Sequence, residues 1–200
     1  VNLRPLFGVR PLESTKGRGY MASGYLMRLM QTGDPSYERK ARQCLDWLME
    51  HRSRRYAQFS WGNYFDFASR AGRYSKDEPI IVWTAIIGQA FLDGFELLHD
   101  QKYLDVATSV CEWILALPRQ TTSSGSCLGY LACKGSFVHN ASMLGAAMLA
   151  RTGRLVGNTE YGRVAAEAME YSCARQRPDG SWYYGEEDHY HWIDSFHTGY

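Results

Sequence analysis

Near the C-terminal end, four carboxylates and three histidines fall within twelve residues: Glu186, Glu187, Asp188, His189, His191, Asp194 and His197. That density suits general acid/base work. Asp194 and His197 are three residues apart, so a helix beginning there places them on one face, with the carboxylate orienting the imidazole. A further carboxylate, Asp66, lies between Phe65 and Phe67, and Asp194 follows Trp192-Ile193. Apolar neighbours desolvate a carboxylate and raise its pKa toward the range of a general acid. Asp66, Asp194 and His197 are therefore the candidate catalytic residues. Carboxylates about 5 Å apart would suit a retaining glycosidase and roughly 6.5–9.5 Å an inverting one. Lyase or epimerase chemistry would instead need a base poised at a sugar carbon. The alternative gives Asp194 to a helix cap and pairs Asp66 with Arg70. His189-Tyr190-His191 behind Asp188 is a loose metal signal without clear third and fourth ligands, so neither a metal nor a cofactor is assigned.

Aromatic and polar residues for ligand binding accompany these groups. Trp61, Asn63, Tyr64 and Arg70 sit in one aromatic stretch that also holds Asp66. They suit a sugar-binding shelf, with Trp61 or Tyr64 stacking and Arg70 bonding hydroxyls or a carboxylate; the alternative is a loop that buries its own aromatics. His139 and Asn140 open a helix, and Asn140 is expected to cap it. Tyr183, Glu186, His191 and Trp192 complete the candidate substrate-binding set. Pro178-Asp179-Gly180 reads as a tight turn.

A repeat positions all of these residues. Asp34, Asp100 and Asn158 each precede a tyrosine by three residues: Tyr37, Tyr103 and Tyr161. Alanines 41, 107 and 165 follow four residues later, and aromatics at 47, 113 and 171 follow the tyrosines by ten. A period of about sixty residues marks a repeat fold. The Asp or Asn is an expected N-cap, and Pro35 suits the first helical position. First helices are expected near 13–32, 80–99 and 139–153, and second helices near 35–52, 101–117 and 159–176. Short connections within pairs make antiparallel neighbours. The segments 53–79, 118–138 and 177–195 are long loops, which are usually functional, and this topology puts all three on one rim. The stretch 80–88 is apolar nearly all round, whereas 35–52 has one wet face, so the first helices are expected to be inner and the more buried class. Small residues Ser23, Gly24, Gly88, Gly145 and Ala146 would let inner helices pack closely. The expected fold is all-α: an α/α toroid of helical hairpins, with about three hairpins present as a partial ring.

Bulk properties narrow the partners. Net charge is only +1, which gives no general attraction to nucleic acid or membrane. Residues 1–78 nevertheless carry 14 Lys/Arg against 8 Asp/Glu, and residues 79–200 carry 8 against 13. Of the five cysteines, Cys44, Cys111 and Cys173 are expected as small core residues, and Cys127 and Cys133 lie in a loop. Reduced thiols and a cytoplasmic location are expected. No apolar run approaches the ~20 residues of a membrane span. The chain starts with Val1, and residues 1–200 are expected to be one toroid domain from a longer chain that can self-associate through open toroid edges.

Gln176-Arg177-Pro178-Asp179-Gly180-Ser181-Trp182 is similar to the Gln/Trp repeat of terpene cyclases. Asn2-Leu3-Arg4-Pro5, the Trp61–Arg70 segment, Asp179–Trp182 and Trp192–Tyr200 together resemble bacterial proteins of the six-hairpin glycosidase-like superfamily associated with polysaccharide biosynthesis. The resemblance implies an α/α toroid acting on a polysaccharide or a uronic-acid-containing sugar in a central cavity, by hydrolase, lyase or epimerase chemistry. Two other readings are a non-catalytic glycan-binding or polysaccharide-assembly module and an isoprenoid-handling toroid. Phe196–Tyr200 resembles the zinc-histidine segment of prenyltransferase β-subunits, but no cysteine here has an Asp two residues before it.

Overall fold

A computed structural model describes residues 2–9, 11–70 and 72–199. Its helices are α1 (Thr15–Thr32), α2 (Pro35–Glu50), α3 (Ile81–Leu98), α4 (Gln101–Leu115), α5 (His139–Val156), α6 (Thr159–Cys173) and the short α7 (Ser195–Gly199). The first six form three antiparallel hairpins. Each second helix is capped as its spacing predicts: Asp34 accepts from the Ser36 amide, Asp100 from Lys102 and Asn158 from Glu160. The Ser36 amide also holds the Asp34 carboxyl below its ordinary range.

The first helices of the hairpins form an inner row, α1 on α3 and α3 on α5. Glycines allow this close packing. A Cβ on Gly88 would meet Met148 at 2.7 Å, and one on Gly145 would meet Ile81 at 2.5 Å. Gly24 departs from expectation, since it faces open space. A polar tie crosses the row: Ser23 of α1 donates to Asp93 of α3 at 2.8 Å, and Arg151 of α5 pairs with Asp93 at 2.8 Å.

Inner helices are not the more buried class. Four residues of α1 and four of α2 are buried, and nine of the 18 in α3 compare with eight of the 15 in α4. Only the third pair follows expectation. At the first edge of the row, Tyr20, Met21, Met27 and Met30 of α1 are exposed. By length and composition α3 could also cross a membrane; here it packs against α1, α4 and α5 in the core.

The three long loops share one rim. Two carry short antiparallel hairpins: β1 (Phe67–Ser69) with β2 (Gly72–Tyr74), and β3 (Arg119–Thr122) with β4 (Gly125–Leu128). Neither α3 nor α5 has a side-chain cap. Their first amides use loop carbonyls instead: Ile81 donates to Tyr130 O and His139 to Tyr184 O, both at 3.2 Å. Thr15, which opens α1, donates its hydroxyl to Gly62 O at 3.1 Å. The same loops bond forward. The Trp61 amide donates to Thr84 Oγ1 and the Leu128 amide to Ser142 Oγ, hydroxyls at the fourth residue of α3 and of α5. Cys44, Cys111 and Cys127 are buried, but Cys173 is exposed on α6, contrary to its core assignment.

Gly62 is held against the Glu78 carbonyl, which a Cβ would approach to 2.2 Å. Gly62→Ala should therefore destabilise the protein by about 1–3 kcal/mol. Gly24→Ala, in an open helix interior, should stabilise it by about 0.5–1 kcal/mol. Urea unfolding of the two variants checks both signs.

Candidate functional site

Between α5, α6 and the loop leading to α7 lies a cleft of ≈ 450 Å³. Trp182, Tyr183, Tyr184 and Trp192 wall it from the loop side. Met143, Leu144 and Ala147 of α5 and Met169 of α6 give it an apolar side, and His139, Asn140, Asp194, His197 and Thr198 supply polar groups. The walls are fixed plates. Tyr184 stacks on Trp192 at 4.4 Å and Tyr183 on His191 at 4.4 Å. The Trp182 indole donates to Ser172 O at 2.7 Å. The loop itself is pinned by a bridge between Val138 and Gly185 and by the Glu186 amide on Phe137 O.

Asp194 and His197 meet as their spacing predicts. Asp194 Oδ1 accepts from the His197 amide at 2.7 Å, which caps α7. Its Oδ2 accepts from the His197 Nδ1 at 2.6 Å and from the Trp192 indole at 3.1 Å. The expected raising of the Asp194 pKa is reversed. The His197 backbone amide, and after it the His197 side chain, hold the carboxyl below its ordinary range despite some desolvation. An ionised Asp194 can only accept, so the His197 Nδ1 that faces it is the donor of this hydrogen bond. Helix capping and orientation of the imidazole thus belong to the same carboxylate.

His139 differs from His197 in having both nitrogens engaged. Its Nε2 lies 2.8 Å from Glu186 Oε1, and its Nδ1 lies 3.3 Å from Ser172 Oγ. Burial pushes its pKa down, against a smaller raising effect of the Glu186 charge. Glu186 also pairs with Arg175 at 2.9 Å, and that guanidinium lies 3.3 Å from the Tyr171 ring centroid. This network ties the loop to α5 and α6. Asn140 is the second residue of α5, not its cap, because the helix begins at His139 after Val138; its place is on the cleft.

The 61–70 segment is placed elsewhere. Trp61 is fully buried: it stacks on Phe91 at 5.7 Å and its indole donates to Leu48 O. It is a core residue and no shelf. Tyr64 packs edge-on against Trp47 and His51, where burial pushes its hydroxyl up to about 12. The Asn63 carbonyl accepts from the Asp77 amide. Asp66 is exposed and lies outside the cleft. Its partners are the Lys76 amide at 2.7 Å and Arg73 at 3.7 Å, not Arg70. Arg70 reaches the cleft wall from outside, with its guanidinium 4.1 Å from the Trp192 ring centroid. Asp66 and Asp194 therefore do not form a carboxylate pair across the cleft. Among the described residues no group of three or more His, Cys, Asp or Glu side chains is arranged to hold a metal.

Sequence reasoning missed Trp182, Tyr184, Ser172 and Arg175. Trp182 closes the Gln176–Trp182 motif, whose resemblance bears on the fold. Tyr184 adjoins a chosen residue, and Ser172 and Arg175 carried no signal in the chain order. Tyr200, part of the C-terminal motif, lies outside the described residues.

No family model matches the chain, and no curated protein sequence matches it. Solved structures do. A family 76 glycoside hydrolase from a bovine Bacteroides thetaiotaomicron strain is 16% identical with a TM-score of 0.57, over 90% of this chain and 38% of that one. Cellobiose 2-epimerase from Spirochaeta thermophila is 14% identical with a TM-score of 0.62, over 86% and 50%. The endo-β-1,4-glucanase of Acetobacter xylinum is 12% identical with a TM-score of 0.61, over 85% and 52%. The chain thus spans between about two fifths and half of these longer proteins. The shared feature is the fold: this chain is all-α, a partial α/α toroid of helical hairpins.

The engaged His139 makes stability depend on pH. Its folded pKa is below its ordinary 6.5, so the unfolded chain binds a proton that the folded chain refuses. The stabilisation is complete above about pH 6.5 and is lost as pH falls from there toward the lower folded value. The urea midpoint should fall between about pH 7 and pH 5.5, and His139→Asn should flatten that slope. Asp194 contributes in a separate, more acid window below its ordinary 3.8.

Proposed function

We propose that the chain is the part of a carbohydrate-active toroid that holds a sugar ring in the third-hairpin cleft and moves a proton through His197. The observation that carries this reading is the Asp194–His197 pair, with Nδ1 bonded to the carboxylate at 2.6 Å, in a cleft walled by Tyr184 and Trp192. The aromatic rims match the apolar C–H patches of a sugar, and the polar groups beside them match its hydroxyls. An imidazole oriented by a carboxylate through one nitrogen is positioned to exchange a proton through the other. Asp194, bonded by three donors, is better suited to orientation than to giving up a proton. Proton abstraction at a sugar carbon, of the lyase or epimerase kind, is thus favoured over hydrolysis by the carboxylate pair first considered. The hydrolase and epimerase names of the structural neighbours support a carbohydrate ligand. One observation favours a second reading: the apolar side formed by Met143, Leu144, Ala147 and Met169 would suit an isoprenoid chain.

Tryptophan fluorescence titration with a panel of neutral sugars, uronic acids and a short prenyl alcohol separates the two. A sugar should quench, and Trp192→Ala should weaken its binding about tenfold or more. For the bound sugar, exchange of a carbon-bound hydrogen with deuterated solvent, followed by NMR, should fall about 100-fold or more in His197→Gln. Its affinity should stay within a few-fold. Quenching by the prenyl alcohol alone, or exchange that survives His197→Gln, would sink the reading.

A further inference from the structure

Beyond the cleft, the rim carries an uneven distribution of charge. Residues 51–78 hold six Lys/Arg side chains (Arg52, Arg54, Arg55, Arg70, Arg73 and Lys76) against three carboxylates, Asp66, Asp77 and Glu78. The fold gathers them. A furrow of ≈ 480 Å³ at the C-terminal end of α2 is lined by Arg52, Arg54, Arg55 and Lys76. Arg55 crosses to the β1–β2 side by donating to Lys76 O at 2.9 Å, and the Lys76 amide donates to Asp66 at the base of β1. From there the hairpin leads past Arg73, four-fifths exposed, to Arg70 on the Trp192 wall of the cleft. One basic strip therefore joins the furrow to the cleft.

Two of these cations are neutralised within the protein. Arg55 pairs with the buried Glu78 at 2.9 Å, and Arg73 lies 3.7 Å from Asp66. Arg52, Arg54, Arg70 and Lys76 have no carboxylate partner among the described residues. Arg52 spends one nitrogen on the carbonyls of Tyr56, Ala57 and Gln58, and Arg54 one on Glu50 O. Both keep their charge. Arg54, Arg70 and Lys76 are exposed.

We propose that this strip binds the carboxylates of an acidic polysaccharide whose neighbouring residue enters the cleft, a step that rests on the carbohydrate reading above. Guanidinium groups match carboxylates with paired hydrogen bonds. The strip is interrupted by Asp66 and Asp77, which accept from sugar hydroxyls, and is bordered by the half-exposed ring of Phe65. Spaced cations with acceptors and an aromatic edge fit a polymer that has one charge per sugar unit.

The test is binding of polygalacturonate, with dextran and single-stranded DNA as comparators, to the protein and to the double variant Arg54→Glu/Lys76→Glu. Polygalacturonate should bind in a salt-dependent manner, more tightly than either comparator, and the double variant should lose about tenfold or more in affinity. Both proteins are also titrated with galacturonic acid by tryptophan fluorescence, which reads the cleft. Polymer binding that is unchanged in the double variant, or is matched by dextran or by DNA, overturns the strip proposal. Loss of galacturonate quenching together with intact polymer binding counts against the cleft reading and leaves the strip standing.

Discussion

The first amides of the inner helices cannot reach water, and this constraint shapes the rim. Ile80 and Val138 precede α3 and α5, and neither has a side chain that accepts a hydrogen bond. Burying such an amide without a partner costs about 1–3 kcal/mol. The carbonyls of Tyr130 and Tyr184 supply the partners. The loops must therefore fold back over the helices that precede them. Their lengths, their tight glycines and their hydrogen-bonded turns follow from that demand.

The cleft is a by-product of the same closure. Tyr184, whose carbonyl completes α5, turns its ring onto Trp192 and toward His197. Glu186, two residues on, clamps His139 and Arg175. The aromatic walls are held by the backbone that caps the helix, so they are rigid before any ligand arrives. His139 and His197 sit near the starts of successive inner helices, yet their environments separate them. One is buried with both nitrogens occupied; the other has one nitrogen tied to Asp194. Similar positions in the repeat thus yield one imidazole held through both nitrogens and one held through Nδ1 alone.

Much of the framework was legible in the chain. The Asp34, Asp100 and Asn158 caps placed the second helices within about three residues at their ends, because a cap is a local bond between neighbours in sequence. The Asp194–His197 contact was legible for the same reason, since three residues is a helical spacing. Asp66 departs from expectation because adjacency to Phe65 and Phe67 does not imply burial. In extended backbone, successive side chains point to opposite sides, so Phe67 packs on Tyr74 and Trp83 while Asp66 points to solvent. For Trp61, a loop aromatic can serve as shelf or core, and only the long-range bond to Thr84 decides. The His139–Glu186 contact joins residues 47 positions apart, and no local pattern announces it.

The loops also set a timetable for synthesis. Thr15 waits for Gly62, 47 residues later, and Ile81 and His139 wait for Tyr130 and Tyr184 over similar distances. At about 5–20 residues per second, each inner helix spends roughly two to ten seconds with its start uncovered. Each loop then closes the helix behind it while its Trp61 or Leu128 amide seeks the hydroxyl of the helix ahead. Assembly on the ribosome is therefore stepwise and directional, and the interval between one closure and the next is the repeat length itself.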